Sequence, residues 1–97
     1  MPKLYAYLGI MVFFYSNEHE PIHVHGKYGE LESKAEIILE KGKVKEIRVG
    51  TIKGKRPLSG RNLKNFVKVV EENADDIVKK WVDYFVYHKV IAPINLR

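Results

Sequence analysis

No cysteine occurs in the 97 residues, which excludes a disulfide framework and every cysteine-ligated zinc site. Long apolar runs are missing as well. The longest, residues 8–15, falls far short of the ~20 residues that span a bilayer. The opening Met-Pro-Lys-Leu-Tyr lacks the basic, apolar and small-residue layout of a secretory signal. These absences together predict a soluble cytoplasmic protein with no membrane partner, and the lack of cysteine fits a reducing compartment. Catalytic signatures are scarce too. No serine sits in a Gly-x-Ser-x-Gly elbow, and Ser16, Ser33 and Ser59 read as turn, strand and cap residues. The stretch Gly50-Thr51-Ile52-Lys53-Gly54-Lys55 fails as a phosphate loop. Its glycines are too close together, and Arg56 stands where a magnesium-holding hydroxyl is needed. No internal repeat or low-complexity tract appears. The lone tryptophan, Trp81, falls at core spacing on a predicted helix.

What the chain does contain is enough apolar residue, 45%, to fill one modest core, so a single domain over residues 1–97 is expected. Its net charge of +5 is unevenly placed. Residues 1–40 hold three Lys against six Glu, and residues 65–97 hold five charges of each sign. The excess belongs to residues 41–64, where nine Lys and Arg face only Glu46. Such a block favours an anionic partner, nucleic acid or an acidic protein face. Lysines that guard strand edges or keep loops soluble are the plainer explanation. Within the block, Lys53, Lys55, Arg56, Arg61 and Lys64 are the candidate anion contacts.

Periodicity predicts an α+β fold: a four-stranded antiparallel meander, then two helices packed on one of its faces. Residues 4–15 are apolar on both parities and rich in aromatic and β-branched side chains, which reads as a first strand covered on both sides. Within it, Gly9 marks a bulge or a close backbone approach. Tyr5, Tyr7 and Tyr15 could stack on nucleic-acid bases if exposed, but their place in a doubly apolar strand points to the core. A polar turn closing at Pro21 follows. Residues 22–28 then alternate, with Ile22, Val24 and Tyr28 on one side and His23, His25 and Lys27 on the other.

A third strand carries Leu31, Ser33, Ala35, Ile37 and Leu39 inward and Glu32, Lys34, Glu36 and Glu40 outward. Lys41-Gly42 turns it into a fourth strand over residues 44–49. The meander thus occupies residues 1–49, followed by a mobile basic connector over residues 50–60. Residues 61–86 form a helical hairpin, with Ser59 or a neighbour as the first cap and Asn73 as the second, ahead of Asp75 and Asp76. One continuous helix is the competing reading, because the apolar register runs unbroken from Leu63 to Phe85. Residues 87–97 are a tail or an edge strand that Pro93 would end.

The sharpest chemical feature is the histidine cluster. Three of the four histidines, His19, His23 and His25, fall within seven residues. Positions two apart on a strand project from one face about 7 Å apart, close enough for two imidazoles to converge on one ion. His19, in the preceding turn, could fold over as a third ligand, leaving an open position that suits zinc or a similar divalent transition metal. Glu18, Glu20 or Glu30 could complete the shell or act as general base. The same trio could instead perform metal-free acid–base chemistry, as in RNA cleavage, or satisfy a polar surface through hydrogen bonds. His88 stands alone and reads as structural.

The run Asn17-Glu18-His19-Glu20-Pro21-Ile22-His23-Val24-His25-Gly26-Lys27-Tyr28-Gly29-Glu30 resembles a widespread family of small prokaryotic proteins classed as a domain of unknown function. That family carries an Asp-His-x-Pro-Pro-His-Phe-His-type signature followed by Tyr-Gly-Glu. Its later pattern, a Leu-x-x-Arg-x-Leu entry to a helix and then a helix ending in Trp, is similar to Leu58, Arg61, Leu63 and Trp81. Glu18 stands where the family has Asp, and a single proline replaces the pair. Members are often encoded beside a second small protein, in the manner of toxin–antitoxin pairs. The resemblance therefore implies a small partner protein, with RNA or DNA as a further partner. It implies His19, His23 and His25 as signature positions without assigning their chemistry. Three functions stay open: a partner- and nucleic-acid-binding module, a histidine- or metal-dependent hydrolase such as a nuclease, and a structural interaction domain. A homodimer is expected if the sheet presents a flat aromatic face.

Overall fold

A computed structural model describes residues 2–14 and 22–96. The fold is α+β, with two helices on one face of a six-stranded mixed sheet in the order β5-β4-β3-β2-β1-β6. The first five strands form an antiparallel meander: β1 (Lys3–Tyr7), β2 (Ile10–Phe13), β3 (Ile22–Tyr28), β4 (Leu31–Glu40) and β5 (Lys43–Thr51). The last strand, β6 (Ile94–Asn95), pairs parallel with β1. The four-strand antiparallel expectation is therefore corrected in two places.

The first correction lies in residues 4–15, which form a hairpin rather than one strand. Leu8 and Gly9 both take positive φ, 49° and 82°, the conformation of a two-residue hairpin turn. Gly9 suits that turn, whereas leucine is a poor left-handed residue, so no familiar turn pair marks the reversal. Both parities are apolar because a bulge between Lys3 and Tyr5 shifts the register and leaves Leu4 and Tyr5 both buried. The second correction concerns the tail, which does form the short edge strand expected as one alternative but places it differently. Its strand follows Pro93 instead of ending there, and Leu96 N–H donates to the Ala6 carbonyl. Proline lacks a donor for the ladder, so pairing begins just after it.

The remaining meander follows the alternation except in β4, where Glu32 is buried and a register shift between Ile38 and Leu39 leaves Leu39, expected inside, exposed. Ile22 pairs with Ile37, Val24 with Ala35 and Gly26 with Ser33, and these rows face the helices. Lys41 and Gly42 form the β4–β5 turn, and β5 extends slightly beyond its expected bounds at both ends.

Two helices follow, α1 (Gly60–Glu72) and α2 (Ala74–Phe85), broken at Asn73. Ser59 occupies the N-cap position of α1 without a side-chain capping bond. Asn73 does not cap α2 with its side chain either. Its Nδ2 donates to the Val69 carbonyl at 2.8 Å, while Ile77 N–H donates to the Asn73 carbonyl. The break is therefore a kink in a nearly continuous hydrogen-bond ladder, which explains why the apolar register ran through it. Phe66, Val69 and Val70 of α1 and Ala74, Ile77 and Trp81 of α2 are buried.

One contact sets how closely α1 approaches the sheet. A Cβ added to Gly26 would stand far inside van der Waals distance of the Phe66 ring. The bare backbone of β3 is thus the seat for that ring. Among the described residues, no helix is long and apolar enough to cross a membrane.

Candidate functional site

Alternation along the meander places the Leu8–Gly9 turn, the Gly29–Glu30 turn and the exit from β5 at one end of the sheet. The connector that leaves β5 does not run free, contrary to the mobile segment expected. Glu32 N–H donates to the Arg56 carbonyl at 2.8 Å, and Arg56 makes a parallel bridge with Leu31. The Leu58 N–H donates to Ser33 Oγ at 2.9 Å, and Leu58 is buried. These bonds lay the connector along the start of β4, in the lane that β5 has vacated.

The consequence is electrostatic. Lys27, Gly29 and Glu30 from the β3–β4 hairpin and Gly54, Lys55 and Arg56 from the connector line one cleft of about 370 Å³. Among the described residues, none of Lys27, Lys53, Lys55 and Arg56 forms an ion pair. Lys53 lies in the exposed turn beside the cleft, closed by a bond from Lys55 N–H to the Ile52 carbonyl. Arg61 and Lys64 belong elsewhere. Both are exposed on α1, and Lys64 borders a separate groove with Leu63 and Val67. The five predicted anion contacts are thus split, and Lys27, which sequence reasoning noted only for its parity, joins the cleft. Its charge stood outside the central basic block, so only the β3–β4 register reveals it.

His23 and His25 occupy the sheet face opposite the helices. Three successive rows cross the sheet there: Met11, Lys27 and Glu32; then Phe13, His25 and Lys34; then His23, Glu36 and Arg48. His23 and His25 share this face as their spacing required, with ring centroids 5.6 Å apart. Their surroundings differ from the exposed strand face that spacing suggested. His25 is only 4% exposed and Glu32 only 3%, and His25 Nδ1 lies 3.4 Å from Glu32 Oε2. The Phe13 ring stacks on His25 with centroids 5.6 Å apart.

Glu32, expected in solvent, is the functional-site residue that sequence reasoning missed. Its nearest printed partner, His25, is a diagonal cross-strand neighbour, a relation that no local pattern encodes. It also joins the two regions, because its side chain meets His25 while its N–H holds the connector. His19 lies outside the described residues. Among those described, no group of three or more His, Asp or Glu side chains converges in a metal-holding geometry.

A family model described as a domain of unknown function, DUF4160, matches residues 9–82. The chain belongs to the DUF4160 family. The match spans the meander from Gly9 onward, the connector, all of α1 and most of α2. It therefore includes the histidine face and the cationic cleft, and excludes β1 and β6. Comparison with curated proteins and with solved structures found no match.

Proposed function

We propose that this DUF4160 protein is a binding module that holds nucleic acid through the cationic end of its sheet and acts beside a small partner protein. The observation that carries this reading is the stitching of the connector to β4, which sets Lys55 and Arg56 next to Lys27 with Glu30 as the opposing charge. Gathering unpaired cations in a concave site raises the local positive potential, and a polyanion relieves their mutual repulsion. The partner protein, in a toxin–antitoxin-like pair, rests on the family arrangement that the histidine signature implies.

Filter binding across a salt series tests the nucleic-acid half. Binding should weaken steeply with salt, by roughly 0.7 to 0.9 log units per log unit of salt for each phosphate neutralised. A Lys55→Glu/Arg56→Glu variant should bind at least ~10-fold more weakly at low salt and lower that slope by about 1.5. Lys41→Glu/Lys43→Glu, the same change of four charges at the opposite end of the sheet, should bind much as the wild type does. Equal losses in both variants would mean that net charge matters and the cleft does not.

A second reading draws on a separate observation, the burial of His25 against Glu32 on the helix-free face. A carboxylate beside one imidazole nitrogen orients the ring for proton transfer, and half-buried His23 would then meet the substrate in a hydrolase. On this reading His23→Gln and His25→Gln each lower turnover ~100-fold or more while the protein remains folded. Unchanged cleavage of RNA or DNA by both variants would end it.

A further inference from the structure

The cationic cleft does not stand alone at its end of the sheet. Tyr28 pairs with Leu31 across β3 and β4, and Leu31 bridges to Arg56. Tyr28, Leu31 and Arg56 therefore stand in one row across three chain segments. The tyrosine and the arginine are two interstrand spacings apart, about 10 Å. Gly29, which follows Tyr28 in the turn, lines the cleft with Lys55 and Arg56, while Lys27 enters it from the opposite face of β3. Tyr28 is 40% exposed, unlike Tyr5, which is buried in the core.

The Tyr28 ring lies against the β1–β2 turn, where a Cβ on Gly9 would come 2.8 Å from Tyr28 Cε2. Next to it, Leu8 is 62% exposed and takes φ 49°. A leucine exposed to water in a left-handed turn position is locally unfavourable twice over. Departures from local preference of this kind concentrate where a surface has a task.

From this juxtaposition we infer that the site takes single-stranded nucleic acid, with an unpaired base stacked on Tyr28 beside Leu8 and its phosphates on Lys55 and Arg56. The inference rests on the nucleic-acid reading of the same cleft and narrows it to one class. Cations that follow a backbone, combined with an aromatic ring on which a base can lie, are what sequence-tolerant single-strand binding requires. A duplex keeps its bases stacked internally and can offer this site only its phosphates.

The test compares wild type, Tyr28→Ala and Tyr28→Phe on a single-stranded DNA oligonucleotide and on the same sequence as a duplex, at one low salt concentration. The single strand should bind more tightly than the duplex. Tyr28→Ala should lose about 5- to 150-fold on the single strand, the equivalent of one base stack, and change little on the duplex. Tyr28→Phe should stay within about twofold of wild type, because the ring face does the stacking. Thermal melts show whether Tyr28→Ala remains folded. If it does not, Tyr28→Trp replaces it, and the new indole emission should be quenched by the single strand alone. Equal affinity for both forms, an unaffected Tyr28→Ala or an unquenched tryptophan overturns the inference and leaves the cationic reading standing. Absence of binding to either nucleic acid by the wild type overturns both.

Discussion

Gly26→Ala should destabilise the protein by about 1–3 kcal/mol, the usual cost of forcing extra atoms into a packed core, and Gly26→Val should cost more. The cause is local and steric. Gly26 is buried in the middle of β3, and the Phe66 ring of α1 occupies the space where its side chain would project. Phe66 is itself fully buried, so the ring has nowhere to retreat without moving α1 off the sheet. For a domain whose total stability is typically 5–15 kcal/mol, the valine variant should be largely unfolded at moderate urea.

A double-mutant cycle separates this mechanism from a general loss of strand propensity. Phe66→Ala alone should cost about 3–5 kcal/mol by leaving a cavity. Adding Gly26→Ala to it should cost much less than the glycine substitution does alone, since the incoming methyl then meets empty space. Additive losses in urea melts would show that the ring does not depend on the bare backbone. The position also matters to the site. Gly26 lies between His25 and Lys27 in β3, so a displaced strand would disturb the histidine row and the cleft together.

How much of this was legible in the sequence varies by element, and the reasons are physical. The β4–β5 hairpin announced itself because Lys41-Gly42 has turn chemistry and lies between alternating runs. The β1–β2 hairpin did not, because its turn uses Leu8, and the bulge after Lys3 makes both parities apolar. A period-two pattern cannot distinguish one fully buried strand from two short ones with a register shift. The helix break at Asn73 was visible in composition, while its mechanism was not: the amide reaches back to Val69 instead of forward into α2.

The site divides in the same way. That His23 and His25 share a face follows from strand geometry alone. That His25 lies beside Glu32 depends on the register of β3 against β4, which is a tertiary fact. The basic connector was recognisable as charge, but its docking through Arg56 and Leu58 uses backbone groups and one serine hydroxyl. Composition therefore named Lys55 and Arg56 as candidates and could not add Lys27, which reaches the same cleft from the other side of β4.

Tyr5 should govern stability at both extremes of pH. It is buried beneath α2, and its hydroxyl donates to Asp76 Oδ2, which also accepts a 2.8 Å bond from Lys80 Nζ. Lys80 Nζ lies 5.6 Å from the centre of the Tyr5 ring, so one tyrosine, one carboxylate and one ammonium tie β1 to α2. Burial, reinforced by the bond to Asp76 and its negative charge, raises the Tyr5 pKa well above its ordinary value of 10.0. Partial burial of Asp76 opposes its ionisation. The bonds from Lys80 and Tyr5 and the charges of Lys80 and Lys79 outweigh that, holding its pKa below the ordinary 3.8.

These two shifts act on opposite sides of neutrality. Above pH 10 the unfolded chain releases the Tyr5 proton that the folded chain retains, so stability falls as pH rises. Near and below pH 3.8 the unfolded chain protonates Asp76 first, so stability falls as pH drops. Between these limits both contributions are present in full. Tyr5→Ala should cost about 3–5 kcal/mol at neutral pH through the cavity it leaves. Tyr5→Phe should cost about 1–3 kcal/mol, the worth of a hydrogen bond to a charged acceptor, and should flatten the alkaline fall. Asp76→Asn should weaken the acid fall and leave the tyrosine buried. Urea melts across pH 2–12 would reveal both limbs, and an alkaline fall unchanged in Tyr5→Phe would assign it to other groups.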